Sequence, residues 1–308
     1  MLGFSLDIDG VLMKSGEPIP GAIDSLKKII DAGIPHIYLT NSAQYTSEKK
    51  AESMSQILGL PISPETVIMS HSPIAFLAEK YKDSLVVCCG RKNCKQVMLS
   101  HGFSNVLSTE EICILNPDVY PYKSFTPDNN EIPLPDVSIL NQKIAAFFVV
   151  NDSFDWQRDL QLCLDVVKSN GFLGQFSDTQ VVDLYFSNPD LVYAAKYHDP
   201  RMTMGSFTLC LRTLFTQQTG RELVFTQFGK PTVDHFNYAA SVLKKLGATR
   251  FVMVDDNPVS GIRGANQFEE WTSVLVLTGI AQENCKQDPA DFVFNDISEC
   301  VDYFLSNL

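Results

Sequence analysis

Apolar positions along the chain follow two alternating rhythms. Gly3 to Leu6 is a short apolar run entering Asp7. From Ala22 to Ala32, the residues Ile23, Leu26, Ile29 and Ile30 recur at the spacing of one helical face, and Gly33 follows where glycine commonly closes a helix. Pro35 to Leu39 is an apolar strand ending in Thr40-Asn41-Ser42, and Thr46 to Leu58 reads as the next helix. Val67-Ile68 predicts a further strand, followed by a helix near Pro73 to Tyr81. A second series comprises a strand over Leu85 to Cys89 stopped by Gly90, a long Pro-, Asn- and Asp-rich loop over 116–136, a strand over Ile144 to Val150 and a helix over Trp156 to Lys168. The last third returns to the first pattern. Thr232 to Leu246 carries Val233, Phe236, Ala240, Leu243 and Leu246 on one stripe, with Thr232 placed to cap it and Gly247 to end it. Phe251 to Val254 runs into Asp255-Asp256, and Val274 to Leu277 is one more strand.

Strands alternating with helices predict an α/β fold around a parallel sheet. The expected organisation is a core made of residues 1–80 and 206–308, interrupted by an inserted α/β domain over 81–205.

Open α/β sheets bind ligands outside the carboxyl ends of their strands. The polar residues in that position are Asp7-Ile8-Asp9-Gly10, Thr40-Asn41 and Asp255-Asp256-Asn257. If their strands are neighbours, several carboxylates converge beside a threonine hydroxyl. Such a group repels itself and raises its own pKa values unless a cation neutralises it. All-oxygen donors suit Mg²⁺. A phosphoryl dianion would also need a fixed positive charge, and Lys230 in Gly229-Lys230-Pro231-Thr232, just before a helix start, supplies one. Taken singly, each segment has an ordinary explanation as a turn or a solvated side chain. Their order and their places at strand ends make the set far more specific.

Composition narrows the partners. The chain has 308 residues, of which 45% are hydrophobic and 19% charged, as expected of a soluble globular enzyme. Its formal net charge of -12 opposes non-specific binding to nucleic acid or an anionic membrane surface, but leaves room for a small phosphorylated metabolite. No apolar run reaches the roughly 18 residues of a bilayer span. Met1 to Leu6 leads straight into the acidic motif, so no targeting segment is expected. Eight scattered cysteines without a C-x-x-C pair read as reduced, mostly buried thiols.

These four segments resemble motifs one to four of the haloacid dehalogenase (HAD) superfamily: Asp7-Ile8-Asp9-Gly10-Val11-Leu12, Ile37-Tyr38-Leu39-Thr40-Asn41, Gly229-Lys230-Pro231 and Val254-Asp255-Asp256-Asn257-Pro258. Their flanks are similar to class IIA, the NagD-like group, and most to its eukaryotic branch named after the cat eye syndrome critical region. Pro18-Ile19-Pro20-Gly21-Ala22, Asp155-Trp156-Gln157-Arg158-Asp159-Leu160-Gln161 and Leu184-Tyr185-Phe186-Ser187-Asn188-Pro189-Asp190-Leu191 carry that likeness, as do Gly205-Ser206-Phe207 and Ile262-Arg263-Gly264-Ala265-Asn266. The resemblance implies a Rossmann-like core with an α/β cap between motifs two and three, and a phosphatase using Mg²⁺. It implies Asp7 as nucleophile, Asp9 as general acid and base, and Thr40, Lys230 and the backbone amides after Asp7 as phosphoryl ligands. The metal would be held by Asp7, the Asp9 carbonyl and Asp256, with Asp255 and Asn257 close behind.

Gly10, Asn41 and, on the cap, Asn188 and Asp190 are the further substrate-binding candidates. Pairing of two copies through the cap is also implied, as is a cytoplasmic or organellar location, mitochondria included. One position departs from the pattern: where the family commonly has a second acid five residues beyond the motif-four Asp, this chain has Gly261, and Asp255 stands as the compensating acid. Gly261 also keeps in view a catalytically weak relative that serves as a binding or scaffold protein; a phosphotransferase or phosphomutase using the same aspartyl phosphate is a second alternative.

Overall fold

The computed structural model describes residues 1–125, 132–193 and 197–307. The chain divides into two compact units, Met1–Pro73 with Gly229–Leu308, and Ile74–Phe228.

The first unit is built on a six-stranded sheet. Its order is Phe292–Phe294, Trp271–Val276, Arg250–Asp255, Leu2–Leu6, His36–Leu39, Val67–Ile68, with every neighbouring pair parallel. Parallel strands are buried on both faces, which is why they read as continuous apolar runs rather than as an alternation. Phe4, Leu6, Val252, Val254, Val274 and Val276 pack on one face with Leu26 and Ile29 of the Ala22–Asp31 helix, Met54 of Ser47–Leu58 and Val301 of Ile297–Ser306. Ile37, Leu39, Phe251 and Met253 pack on the other, against Phe236, Ala239 and Leu243 of the Val233–Lys245 helix. The result is three layers, α/β/α.

The second unit repeats the principle. Its five-stranded sheet runs Thr226–Gln227, Asp183–Phe186, Ile144–Val149, Leu85–Cys89, Val106–Ser108, again parallel throughout. Val87, Cys89, Phe147, Val149, Leu184 and Phe186 face one core, and Val86, Cys88, Ala146, Phe148 and Tyr185 the other.

The structure differs from the sequence-based expectations at several places. The units divide after Pro73 and Phe228 rather than after residues 80 and 205. The physical reason at the second boundary is the Met204–Thr219 helix, whose Phe207, Leu211 and Phe215 are buried in the second unit's core. The helix expected near Pro73 to Tyr81 is a 3-10 segment, Ser72–Leu77, in which the Ala78 N–H reaches back three residues to the Ala75 carbonyl. The expected loop over 116–136 contains a 3-10 turn at Pro117–Val119, and residues 126–131 lie outside the described residues. Thr232 stands at the N-cap of the Val233–Lys245 helix, but its hydroxyl donates to the Gly229 carbonyl rather than accepting a helical N–H. The strand leading to the acidic pair extends through Asp255 itself.

Candidate active site

Register in the first unit's sheet places the acidic motifs side by side. Leu6 is paired with Val254 on one side and with Tyr38 on the other. The residues that follow, Asp7, Asp255-Asp256 and Thr40, therefore leave three adjacent strands at the same carboxyl edge. The Asp7 N–H continues the ladder by donating to the Val254 carbonyl (2.9 Å).

At that edge, carboxylate oxygens of Asp7, Asp255 and Asp256 lie within 4.8 Å of one another, and all three residues are buried. Lys230, itself 2% exposed, places its Nζ 2.8 Å from Asp7 Oδ1 and 2.7 Å from Asp255 Oδ2. Burial pushes the Asp7 carboxyl well above the ordinary carboxylate range; Lys230 pulls the other way, while Asp255 and Asp256 push it further up. Asp256 is raised to about 6, first by burial and then by Asp255. Burial opposes the charge of Lys230, but Asp255 and Asp7 outweigh it and hold the ammonium above its usual range. An isolated ion pair would depress the pKa of its acid. Asp7 moves the opposite way because burial, reinforced by the neighbouring Asp255 and Asp256 carboxylates, outweighs the ammonium it shares with Asp255.

The surrounding loops are built to bring these groups together. Asn41 holds the Lys230 backbone from both sides: its Oδ1 accepts the Lys230 N–H (2.7 Å) and its Nδ2 donates to the Lys230 carbonyl (3.0 Å). Asp255 Oδ1 accepts the Asn257 N–H (2.8 Å), while Asn257 Oδ1 accepts the Val259 N–H (3.2 Å). Asp256 Oδ2 accepts the Ile280 N–H (2.7 Å). Gly10 has φ 88°, and a β-carbon there would overlap the Asp256 carboxylate, so both the turn and the clearance require glycine. Thr40 Oγ1 accepts the Ser42 N–H (3.1 Å), which leaves its own proton to donate.

The structure thus brings together Asp7, Asp255, Asp256 and Lys230, with Asn41 behind them. The Asp9 side chain is exposed and stands outside the carboxylate cluster. The Gly10 N–H is engaged by the Met13 carbonyl (2.7 Å). Asn188 and Asp190 belong to the second unit, where Asn188 is buried and its Oδ1 accepts the Asp190 N–H (2.8 Å). Sequence reasoning missed the contribution of Thr278-Gly279-Ile280. Gly279 gives Asp256 its space, and the Thr278 hydroxyl donates to the Gly10 carbonyl. The signal was present, since these residues follow the apolar strand Trp271–Val276 as Asp7 follows its own.

Residues 4–104 match the family model of haloacid dehalogenase-like hydrolases, and residues 227–300 match a second HAD-hydrolase-like model. A mitochondrial hydrolase of Saccharomyces cerevisiae is 31% identical over 97% of this chain and 94% of its own length. This chain belongs to the haloacid dehalogenase-like hydrolases. A cardiolipin synthase/mitochondrial hydrolase fusion protein of Schizosaccharomyces pombe is 34% identical over 98% of the chain, which spans only 53% of that protein. Among solved structures, a p-nitrophenyl phosphatase from Archaeoglobus fulgidus superposes with TM-score 0.69 at 20% identity, covering 98% of each chain. NagD from E. coli superposes with TM-score 0.64 at 17% identity, covering 96% of this chain and 97% of its own. The fold expected from the sequence, a Rossmann-like HAD core with parallel strands, is the one these superpositions show, and the enzyme class is that of the HAD hydrolases.

Proposed function

We propose that this chain hydrolyses small phosphate monoesters through an aspartyl phosphate on Asp7, with Mg²⁺ as cofactor. The observation that carries the reading is the charge balance at the sheet edge: one buried ammonium, Lys230, against three buried carboxylates packed within 4.8 Å. Fully ionised, that group has two uncompensated negative charges, and its donors are all oxygen. A hard divalent cation fits both the charge and the donor set. Asp7, Asp256 and the Asp9 backbone carbonyl are the residues proposed to hold it, with Asp255 and Asn257 supporting. Bound there, it would supply charge stabilisation at the phosphoryl oxygens.

The residues divide the remaining work. An Asp7 oxygen forms a bond to phosphorus as the ester P–O bond breaks, and Asp9 gives its proton to the departing alkoxide, which leaves as the alcohol. Asp9 then takes a proton from water as that oxygen attacks phosphorus. The bond to Asp7 breaks, inorganic phosphate leaves and the Asp7 carboxylate is restored. Thr40, Lys230 and backbone amides of the Asp7 loop hold the other phosphoryl oxygens. The solvent exposure of Asp9 supports giving it the proton-transfer role.

Choice of ester is assigned to the second unit as cap, through Asn188 and Asp190. Two relatives bear the word mitochondrial in their names, and a mitochondrial location is proposed for this chain too. No helix among the described residues is long and apolar enough to cross a membrane.

The test is purified protein assayed against a panel of phosphate esters with Mg²⁺ and with EDTA. Release of inorganic phosphate that vanishes in EDTA and in Asp7→Asn supports the reading. Transfer to an added alcohol instead of water identifies a phosphotransferase. No turnover of any ester by well-folded protein overturns the enzymatic reading in favour of a scaffold.

A further inference from the structure

The second unit has the strand arrangement of a ligand-binding α/β domain in its own right. Strands Val106–Ser108 and Ile144–Val149 follow one another among its strands but lie on opposite sides of Leu85–Cys89. The chain therefore crosses over at Leu85–Cys89, and the carboxyl edge beside such a crossover is where open parallel sheets take ligands. A cavity of about 130 Å³ lies at this edge, lined by Gly90, Arg91, Lys92, Lys95, Glu110, Glu111 and Arg158, with Ile114 and Leu134 as an apolar wall.

Parts of its wall are held by contacts within the second unit. Gly90 has φ 144° and approaches Asn151 so closely that a β-carbon would overlap it. Asn151, fully buried, accepts the Arg91 N–H (2.6 Å) and donates to Asn93 Oδ1 (3.2 Å), fastening the whole turn to the end of the neighbouring strand. The Arg91 guanidinium lies 4.5 Å from the Phe154 ring centre, and its Nε is buried with no hydrogen-bond partner among the described residues. Arg158, 6% exposed, is oriented by Asp159 (2.8 Å) and Glu110 (3.1 Å), and Lys95 pairs with Glu111 (2.6 Å). Glu111 is further committed, because it accepts the Ser108 N–H (2.8 Å) in a capping box.

Buried ion pairs of this kind are poor evidence for stability, since the cost of removing both charges from water rivals their attraction. Preorganised charge around a cavity is instead what anion recognition needs. Lys95 and Arg158 are already matched by Glu111, Glu110 and Asp159, whereas Arg91 is a lining cation that no carboxylate among the described residues engages. Its volume is below the roughly 300 Å³ at which pockets for whole drug-sized ligands begin, so the occupant is a small group.

We infer that the second unit carries an anion site of its own at the Gly90–Arg91 turn, taking the phosphoryl group of inorganic phosphate or of a small phosphate ester. The inference stands apart from the proposed reaction, because every residue it uses belongs to the second unit.

The test uses the full chain with isoleucine methyl labelling, titrated with inorganic phosphate and, in Asp7→Asn protein that leaves the ester intact, with glycerol 3-phosphate. The Ile114 methyl resonance is expected to shift saturably. The apparent affinity should fall by about tenfold or more in Arg91→Ala, the scale of losing one charge-assisted hydrogen bond. Lys92→Ala, also at a solvent-accessible position, serves as the second variant. A response to both ligands assigns the phosphoryl group itself, and a response to the ester alone assigns the ester. The inference is overturned if Ile114 does not shift in folded protein, if chloride at equal ionic strength shifts it equally, or if both variants titrate like the parent chain.

Discussion

Asp255 fills the space into which a side chain at position 261 would project: a β-carbon on Gly261 overlaps the Asp255 carboxylate. The two positions thus compete for one volume, and the acid in it belongs to residue 255. From there Asp255 Oδ2 meets Lys230 Nζ at 2.7 Å.

Gly261→Asp should for this reason be harmful, although it restores the more common family residue. It places a second carboxyl against a buried one, and overpacking alone costs about 1–3 kcal/mol. Asp255→Gly should also be harmful, because Lys230 loses a buried partner. In the double variant the volume and charge conflicts disappear together, so the two effects should be strongly non-additive. Melting temperatures and phosphate release for the four proteins of this cycle provide the measurement. Additive losses would show that the two positions do not share a space.

Asn41 predicts a different signature. Its carboxamide engages the Lys230 N–H and carbonyl, so it holds the backbone that aims the ammonium. Asn41→Ala leaves two backbone groups without these partners, at about 1–3 kcal/mol each if they stay dry. Asn41→Asp preserves the acceptor and loses the donor. Both should lower kcat more than they raise KM, with Asp retaining more stability than Ala. A pure KM effect would instead make Asn41 a direct substrate ligand.

Burial of Asp256, reinforced by repulsion from Asp255, predicts an inverted pH response in metal-free protein. Asp256 is raised from 3.8 to about 6, so between those values the native cluster keeps a proton that the unfolded chain releases. Stability falls with rising pH wherever the native state binds more protons. This contribution is complete below about pH 4 and lost above about pH 6, and a shift of about two units corresponds to about 3 kcal/mol. Saturating Mg²⁺ should flatten or reverse the slope by favouring the ionised cluster. Melting curves in EDTA and in Mg²⁺, compared with Asp256→Asn to subtract the other carboxylates, isolate the effect. An EDTA slope unchanged by Asp256→Asn would show that Asp256 does not hold a raised pKa in the folded protein.

Much of this site could be read from residue order because strand ends in a parallel sheet converge by construction. Asp7, Thr40 and Asp256 each directly follow an apolar run or an acid at its end, and Lys230 precedes a helix. Pairings between side chains could not be read in that way. That Asn41 faces the Lys230 backbone, and that Asp255 rather than Asp7 alone receives the ammonium, depends on loop paths with no periodicity. The same holds for the second unit's boundaries: the Met204–Thr219 helix has apolar residues on several sides, so its sequence does not say which core buries it.

Gly279 tests how tightly the metal candidate Asp256 is held. A β-carbon at 279 would overlap the Asp256 carboxylate, while the adjacent Ile280 N–H donates to Asp256 Oδ2 at 2.7 Å. Alanine there must displace either the carboxylate or the loop that fixes it, and glycine's φ at this position is not in the left-handed region, so the effect is one of contact rather than backbone strain. Gly279→Ala should therefore weaken the stabilisation that Mg²⁺ gives in thermal melts while leaving the melting temperature in EDTA within a few degrees of the parent, a shift of about 1 kcal/mol. The ratio of phosphate release at low and high Mg²⁺ should fall with it. Equal Mg²⁺ stabilisation in both proteins would remove Asp256 from the metal site and leave its hydrogen bond to Ile280 as a purely structural one.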